Sequence, residues 1–381
     1  MESNKPAQPE QIEQVASDRR QFLGTLAAGA GAATLLAGLG GAAQAQQAAQ
    51  QAPRPATGAA PPPGGPGPGG RPPMPPEPKV SQPAPLAELK GKTIYITASS
   101  DGIGLGIARA ASNAGMNVVI GYRQEKRLAE ALPLFAKDAP VFAVKHDVVG
   151  QDGWVALLDA VKKKYGKLHC VVNNAGIKTF GKATESKPED WQNAWEVNVG
   201  AIYHSFNVII PHMKEHGEGG HFVTTSSMSG LLPAVTAGIY TTTKFAATAI
   251  MEAARVELEG TNIGTSAFCP GGVSTDNQPP GSRPPRLGPD GKPLPNFASM
   301  SMQPLEAGER VLNGIRNNDL FIISHAEFRE GIKERADAII YSCPDEPIAN
   351  ERFPSETRTR HTGIYPREIV HRLQKRDSYR T

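Results

Sequence analysis

Cysteine is scarce in this chain, with 3 among 381 residues, at Cys170, Cys269 and Cys343. So few thiols exclude a disulfide-stapled scaffold. Cys170 and Cys269 stand inside apolar runs and read as small core residues. An excess of one charge is missing as well. Lys+Arg number 40 against Asp+Glu 37, which gives no support for a nucleic-acid partner, since that would need a one-sided basic field. A long run of strongly apolar residues is also missing. The nearest candidate, between Leu23 and Gly41, is mostly Gly and Ala and too poor in Leu, Ile, Val and Phe to make a stable membrane span.

What is present is unevenly spread, and much of the Pro 34 and Gly 40 falls before residue 86. Residues 1–45 carry Arg19-Arg20 with Phe22-Leu23 behind them, a soft apolar stretch, and the small-x-small site Ala43-Gln44-Ala45. That is the layout of a signal peptide, and the paired arginines resemble the bacterial twin-arginine motif. The expectation is export to the periplasm by the twin-arginine machinery. The alternative is a cytoplasmic protein whose Ala-rich N-terminus happens to contain the pair. Residues 46–85, a Gln/Ala tract followed by a Pro/Gly tract, bury too little apolar surface to fold and read as an extended tether. One catalytic domain is expected over 86–342, with a Pro-rich substrate loop at about 276–303. The tail, 343–381, reads as irregular and available to wrap a neighbouring subunit.

From Leu86 onward short apolar runs alternate with amphipathic segments. "KTIYITAS", "NVVIGYR", "VFAVKHDV", "LHCVVNNAG", "GHFVTTSS", "TSAFCPGG" and "LFIISH" read as strands. Between and after them, "GLGIARAASNAG", "WVALLDAVKKKYG", the long "EDWQNAWEVNVGAIYHSFNVIIPHMKEH", a stretch from about Thr236 to Glu259, "PLEAGERVLNGIRNND" and "EFREGIKERADAII" read as helices. Continuously apolar strands between such helices imply an α/β fold, a Rossmann-like doubly wound parallel sheet covered on both faces.

Four stretches carry chemistry. "ITASSDGIG", 96–104, fills the first βα turn, where glycines let the backbone approach a pyrophosphate at a helix N-terminus. Tyr240 and Lys244 lie on one helix face at i and i+4, where an ammonium beside a phenol would lower the tyrosine pKa and suit it to exchange a proton with an alcohol. Ser227 precedes Tyr240 at a strand end. "NNAG" (173–176), Asn198 in "EVNVG" and "PGGVST" (270–275) complete the set.

In this order and spacing, from Lys92 to about Thr275, the motifs resemble the short-chain dehydrogenase/reductase family. The resemblance implies that Tyr240 is the general acid/base and also lies against the cofactor. Lys244 would hold the nicotinamide ribose and depress the tyrosine pKa. Ser227 would orient the substrate oxygen, and Asn198 would position a water for proton relay. It implies a phosphate turn of Thr97, Ser99, Gly102, Ile103 and Gly104. Asn174, Ala175 and Gly176 would lie along the ribose, Asp147 and Val148 around the adenine, and Pro270, Gly271, Val273 and Thr275 on the nicotinamide side. The activity implied is reversible alcohol/carbonyl oxidoreduction of a small molecule, with members of similar layout acting on bulky hydrophobic alcohols and ketones. The family also implies a homodimer or homotetramer. Two other readings are a catalytically idle nicotinamide-binding sensor or scaffold, and an epimerase with internal redox.

Ala98 stands where the family usually has glycine, tolerable if φ there stays negative. Asp101, close to the phosphates, is an electrostatic objection. At the end of the second strand no carboxylate is present to bind a ribose hydroxyl. Tyr122 stands there with Arg123 beside it, which favours NADP over NAD; otherwise Arg123 simply starts a helix in a solvated loop. His212, His216 and His221 suggest metal spacing but read as solvated histidines. Trp191 and Trp195 read as packing, and Ile177, Phe180, Leu231 and Pro233 as pocket lining or core.

Overall fold

The computed structural model describes residues 84–179, 181–274, 301–345 and 362–375, all in the second of two compact units, Arg71–Thr381. The arginine pair, the tether, Phe180, Thr275 and most of the expected substrate loop lie outside the described residues.

Seven parallel strands make one sheet in the order β3-β2-β1-β4-β5-β6-β7. They are β1 (Thr93–Ile96), β2 (Asn117–Tyr122), β3 (Val141–Lys145), β4 (Cys170–Asn173), β5 (Gly220–Thr225), β6 (Ile263–Cys269) and β7 (Phe321–Ile323). The central strands β1, β4, β5 and β6 are buried along their whole length. That is what continuous apolar runs dictate when helices cover both faces. Alternation divides the core in two. Ile94 and Ile96 pack with Ile107 of α1 (Gly102–Asn113) and with Val311 and Ile315 of α7 (Pro304–Asn317). Tyr95, pointing the other way, packs with Trp154 and Leu157 of α3 (Asp152–Tyr165). A short helix α2 (Glu125–Ala131) links β2 to β3. Helices α1 and α7 touch backbone to backbone, since a Cβ on Gly106 would fall 1.9 Å from Pro304 O. The strand order reverses beside β1, which opens a crevice at the C-terminal edge of the sheet.

The long helix expected after β4 forms in three joined pieces. These are α4 (Pro188–Trp195), one wide π-helical turn at Glu196–Gly200, and α5 (Ala201–His216). Such turns insert a residue and re-aim the side chains around them. The residue re-aimed here is Asn198. After β5 comes α6 (Gly238–Glu257), and after β7 comes α8 (Arg329–Tyr341).

Two expectations are corrected. The tail is not irregular throughout, because Ile364–Gln374 forms α9. It docks on its own subunit. His371 Nε2 lies 3.0 Å and Arg372 Nη1 3.2 Å from the Asp319 carboxylate, and Arg367 pairs with Glu259 of the loop following α6. The histidines are not solvated either. His221 is fully buried in β5, with Nε2 2.8 Å from Ser266 Oγ. His212 is buried and accepts the Leu168 amide at 3.1 Å. The sequence showed the glycines that end α5 but not that the helix folds this face back onto the strand ends. Among the described residues no group of histidines, cysteines and carboxylates is placed to hold a metal.

Candidate active site

The phosphate turn is held from within. Thr97 Oγ1 accepts the amides of Asn174 (2.8 Å) and Ala175 (2.7 Å), tying the end of β1 to the end of β4. Ser99 is fully buried; its hydroxyl donates to Ile96 O at 2.7 Å and accepts the Gly121 amide at 3.1 Å. Its side chain therefore shapes the turn rather than facing a ligand. Gly104 must be glycine, because a Cβ would lie 2.5 Å from Ala98 O and 2.6 Å from Asn174 Nδ2.

The proviso attached to Ala98 fails, since its φ is +48°, in the left-handed region. The objection from Asp101 weakens. Its carboxylate caps α1 by accepting the Gly102 amide at 2.7 Å and lies 3.6 Å from Arg127 Nη1 of α2. An acidic cap suits a helix N-terminus, and the arginine offsets its charge.

On the other side of the crevice α6 begins at Gly238, so Tyr240 sits in its first turn and Lys244 one turn on. Lys244 is 4 % exposed and its Nζ donates to Thr225 O at 2.7 Å. Burial, more than any neighbour, pulls its pKa down to about 8. The ammonium lies 5.6 Å from the centroid of the Tyr240 ring. The expected lysine-driven fall in the tyrosine pKa is not found. Burial pushes the phenol up, and the opposing pull comes from a hydrogen bond with Ser227. Ser227 starts from extended backbone after β5, and its Oγ accepts the Ser229 amide at 3.1 Å.

Asn198 reaches the same place from the π-helical turn. Its Oδ1 accepts the Ile177 amide at 2.9 Å, and its Nδ2 donates to Ile177 O at 3.1 Å and to Thr243 Oγ1 at 3.0 Å. It and Lys244 converge on Gly176, where a Cβ would stand 3.2 Å from Asn198 Oδ1 and 3.3 Å from Lys244 Nζ. One cavity of about 750 Å³ is lined by Ser227, Tyr240 and Lys244 together with the cofactor-side residues Ile103, Asn174, Gly176, Pro270, Gly271 and Val273.

A short-chain dehydrogenase family pattern matches residues 92–284. The chain belongs to the short-chain dehydrogenase family. It is 25 % identical over 268 residues to a C alpha-dehydrogenase of Sphingobium sp., covering 68 % of this chain and 88 % of that one. The solved structure of a proposed short-chain dehydrogenase from Novosphingobium aromaticivorans superposes with a TM-score of 0.64 at 29 % identity, covering 75 % of this chain and all of that one. A short-chain dehydrogenase/reductase from Burkholderia phymatum, solved in complex with NAD, gives 0.59 at 27 % identity, with 69 % and 99 % covered. The protein is therefore an oxidoreductase of this family with a Rossmann-type nicotinamide-binding fold.

The residues present fit such a cofactor. Lys244 has three N–H donors, of which Thr225 O takes one, leaving a buried ammonium with donors for ribose hydroxyls. Asp147 and Val148 follow β3 at the far end of the crevice. Val148 is buried, while Asp147 is exposed and lies 3.6 Å from the exposed Arg123.

Three contributors escaped the sequence reading. His325, just beyond β7, accepts the Gly271 amide through Nδ1 at 3.0 Å, and its Nε2 lies 3.1 Å from Gly272 O. It thereby holds the "PGG" loop. Its position two residues beyond a parallel strand was the available signal, since strand ends meet at the site. Thr243 braces Asn198, and Lys178 lines the cavity.

Proposed function

We propose that this short-chain dehydrogenase interconverts a secondary alcohol and its ketone, or an aldehyde and its alcohol, with NADP as the favoured cofactor. The observation that carries the reading is the meeting of Ser227, Tyr240 and Lys244 in one cavity, with Asn198 braced behind them. When bound, a nicotinamide supplies or accepts the hydride at the substrate carbon. Ser227 Oγ donates to the substrate oxygen. In reduction Tyr240 Oη gives its proton to that oxygen as the carbon gains the hydride; in oxidation it takes the hydroxyl proton as the hydride leaves. A phenol held protonated by burial suits the donor role. Lys244 orients the cofactor, and Asn198 fixes the Gly176–Ile177 backbone beside it.

NADP is favoured because Arg123 follows β2 and Tyr122 offers no carboxylate to a ribose. The Arg123–Asp147 pair is exposed on both sides and of little energetic weight, so a 2′-phosphate can displace it. We further place the protein outside the cytoplasm, exported folded with its cofactor seated, as a homodimer or homotetramer. The Arg19-Arg20 segment motivates the export. Mass spectrometry of protein from the exported fraction should find bound nicotinamide, and empty protein there would contradict the idea.

The test is a screen of ketones, aldehydes and alcohols, followed by absorbance of the reduced cofactor with NADPH and NADH in parallel. Net cofactor oxidation or reduction is expected, with NADPH preferred and the preference reduced about tenfold in Arg123→Ser. Tight cofactor binding with no turnover would favour an idle sensor, and substrate conversion without net cofactor change an epimerase.

A further inference from the structure

Lys178 follows directly on Ile177, whose amide and carbonyl are both clamped by Asn198. The base of the lysine is thus fixed within two residues of Gly176, where Lys244 and Asn198 converge. Its side chain lines the same cavity as Ser227 and Tyr240. No hydrogen bond or ion pair engages it among the described residues, whereas the neighbouring Lys182 pairs with Glu185 at 2.7 Å. The described wall of the cavity includes Lys178 and Lys244 but no Asp or Glu. Lys244 gives one N–H to Thr225 O and keeps the others for the cofactor ribose. Lys178 makes the buried ammonium harder to keep, since its charge adds to the burial that lowers the Lys244 pKa. Two like charges facing one cavity, with no counter-charge among its described residues, form a standing field that favours an anionic ligand. Beside the polar residues Asn174, Ser227 and Tyr240, the wall includes an apolar part made by Met228, Leu232, Pro233, Val235 and Phe328.

We propose that Lys178 selects the substrate: the alcohol or ketone carries, away from the reacting carbon, an anionic group such as a carboxylate that pairs with Lys178, while its apolar body lies against Leu232 and Phe328. This deepens the oxidoreductase reading and rests on it. The lysine takes no part in hydride or proton transfer. It orients the substrate, so its effect falls on KM for anionic substrates and not on kcat.

The probes are 4-acetylbenzoate and its methyl ester, which differ in charge at the far end of the ring. Their affinities for the full-length enzyme saturated with oxidised cofactor are measured by calorimetry, and their reduction is followed separately with reduced cofactor. The wild type is expected to bind the acid about fivefold more tightly than the ester, the upper end for an exposed ion pair. Lys178→Met should abolish that preference, and Lys178→Glu should reverse it. Cofactor affinity and the kcat for the ester should stay unchanged in both variants. Equal binding of the two probes by the wild type, binding of neither, or a preference that survives Lys178→Met would overturn the inference. A loss of cofactor affinity in Lys178→Met would also overturn it, by assigning the lysine to a cofactor phosphate. A carboxylate preference in binding without reduction of either ketone would leave the inference standing and count against the oxidoreductase reading.

Discussion

Ala98 holds φ +48° at the centre of the phosphate turn, a conformation that an L side chain adopts with strain. The strain persists because Ser99 and Asn174 fasten both flanks. Asn174 Nδ2 donates to Thr97 O at 3.1 Å, and the Ser99 amide to Gly121 O at 2.8 Å. Replacing Ala98 by glycine removes about 1–2 kcal/mol of left-handed strain and gives back roughly 0.4–1 kcal/mol through the freer unfolded chain. Ala98→Gly should therefore raise stability by about 0.5–1 kcal/mol, read as a higher urea midpoint at unchanged slope. A lower midpoint would show that the alanine methyl makes a contact worth more than the strain. At the same scale, Tyr240 departs from the simplest sequence argument. The lysine one turn away does not outweigh burial, because its ammonium is itself desolvated and turned to a backbone carbonyl.

At the scale of elements, the strand ends opposite the site are tied together by histidines. His169 Nδ1 accepts the Thr93 amide at 3.1 Å, so its Nε2 carries the proton and donates to Glu218 at 3.0 Å. His212 accepts the Leu168 amide, and His216 Nδ1 accepts the Glu218 amide at 3.1 Å. Burial lowers the pKa of His169 and His212, takes that of His146 to about 4, and takes that of His221 to about 3. The usual value is 6.5, so between these limits the unfolded chain binds protons that the folded protein refuses. Stability from these groups is complete above pH 6.5 and is lost as pH falls toward 4 and then 3. Each group adds up to about 1.4 kcal/mol per pH unit within its window. Urea midpoints measured from pH 7 to pH 4.5 should fall steadily, and His221→Asn should flatten the slope. A flat profile down to pH 4.5 would contradict the assignment of these rings as neutral.

At the scale of the molecule, the sheet was legible because parallel strands buried on both faces leave unbroken apolar runs such as "TIYI" and "CVVN". The Ser227/Tyr240/Lys244 set was legible because one helical turn and one strand end fix its spacing. Other features were hidden because they depend on contacts distant in sequence. The π-helical turn at Asn198 closes onto Ile177, 21 residues away. His325 reaches back to Gly271 across 54 residues. Helix α9 is held by Asp319, 52 residues before His371, and no local pattern in the charged, Pro-containing tail announces that partner. Lys178 is not legible in the sequence, because an exposed lysine is ordinary until the fold sets it in the wall of the catalytic cavity.

The central claim is that the Tyr240 hydroxyl exchanges the proton in this cavity. Tyr240→Phe keeps the ring and removes only the hydroxyl, so the decisive measurement is kcat of that variant beside its cofactor affinity, on the best substrate of the wild type. A loss of about 10²–10⁴-fold in kcat with cofactor affinity held within twofold is predicted, whereas a variant that turns over at the wild-type rate would contradict the account.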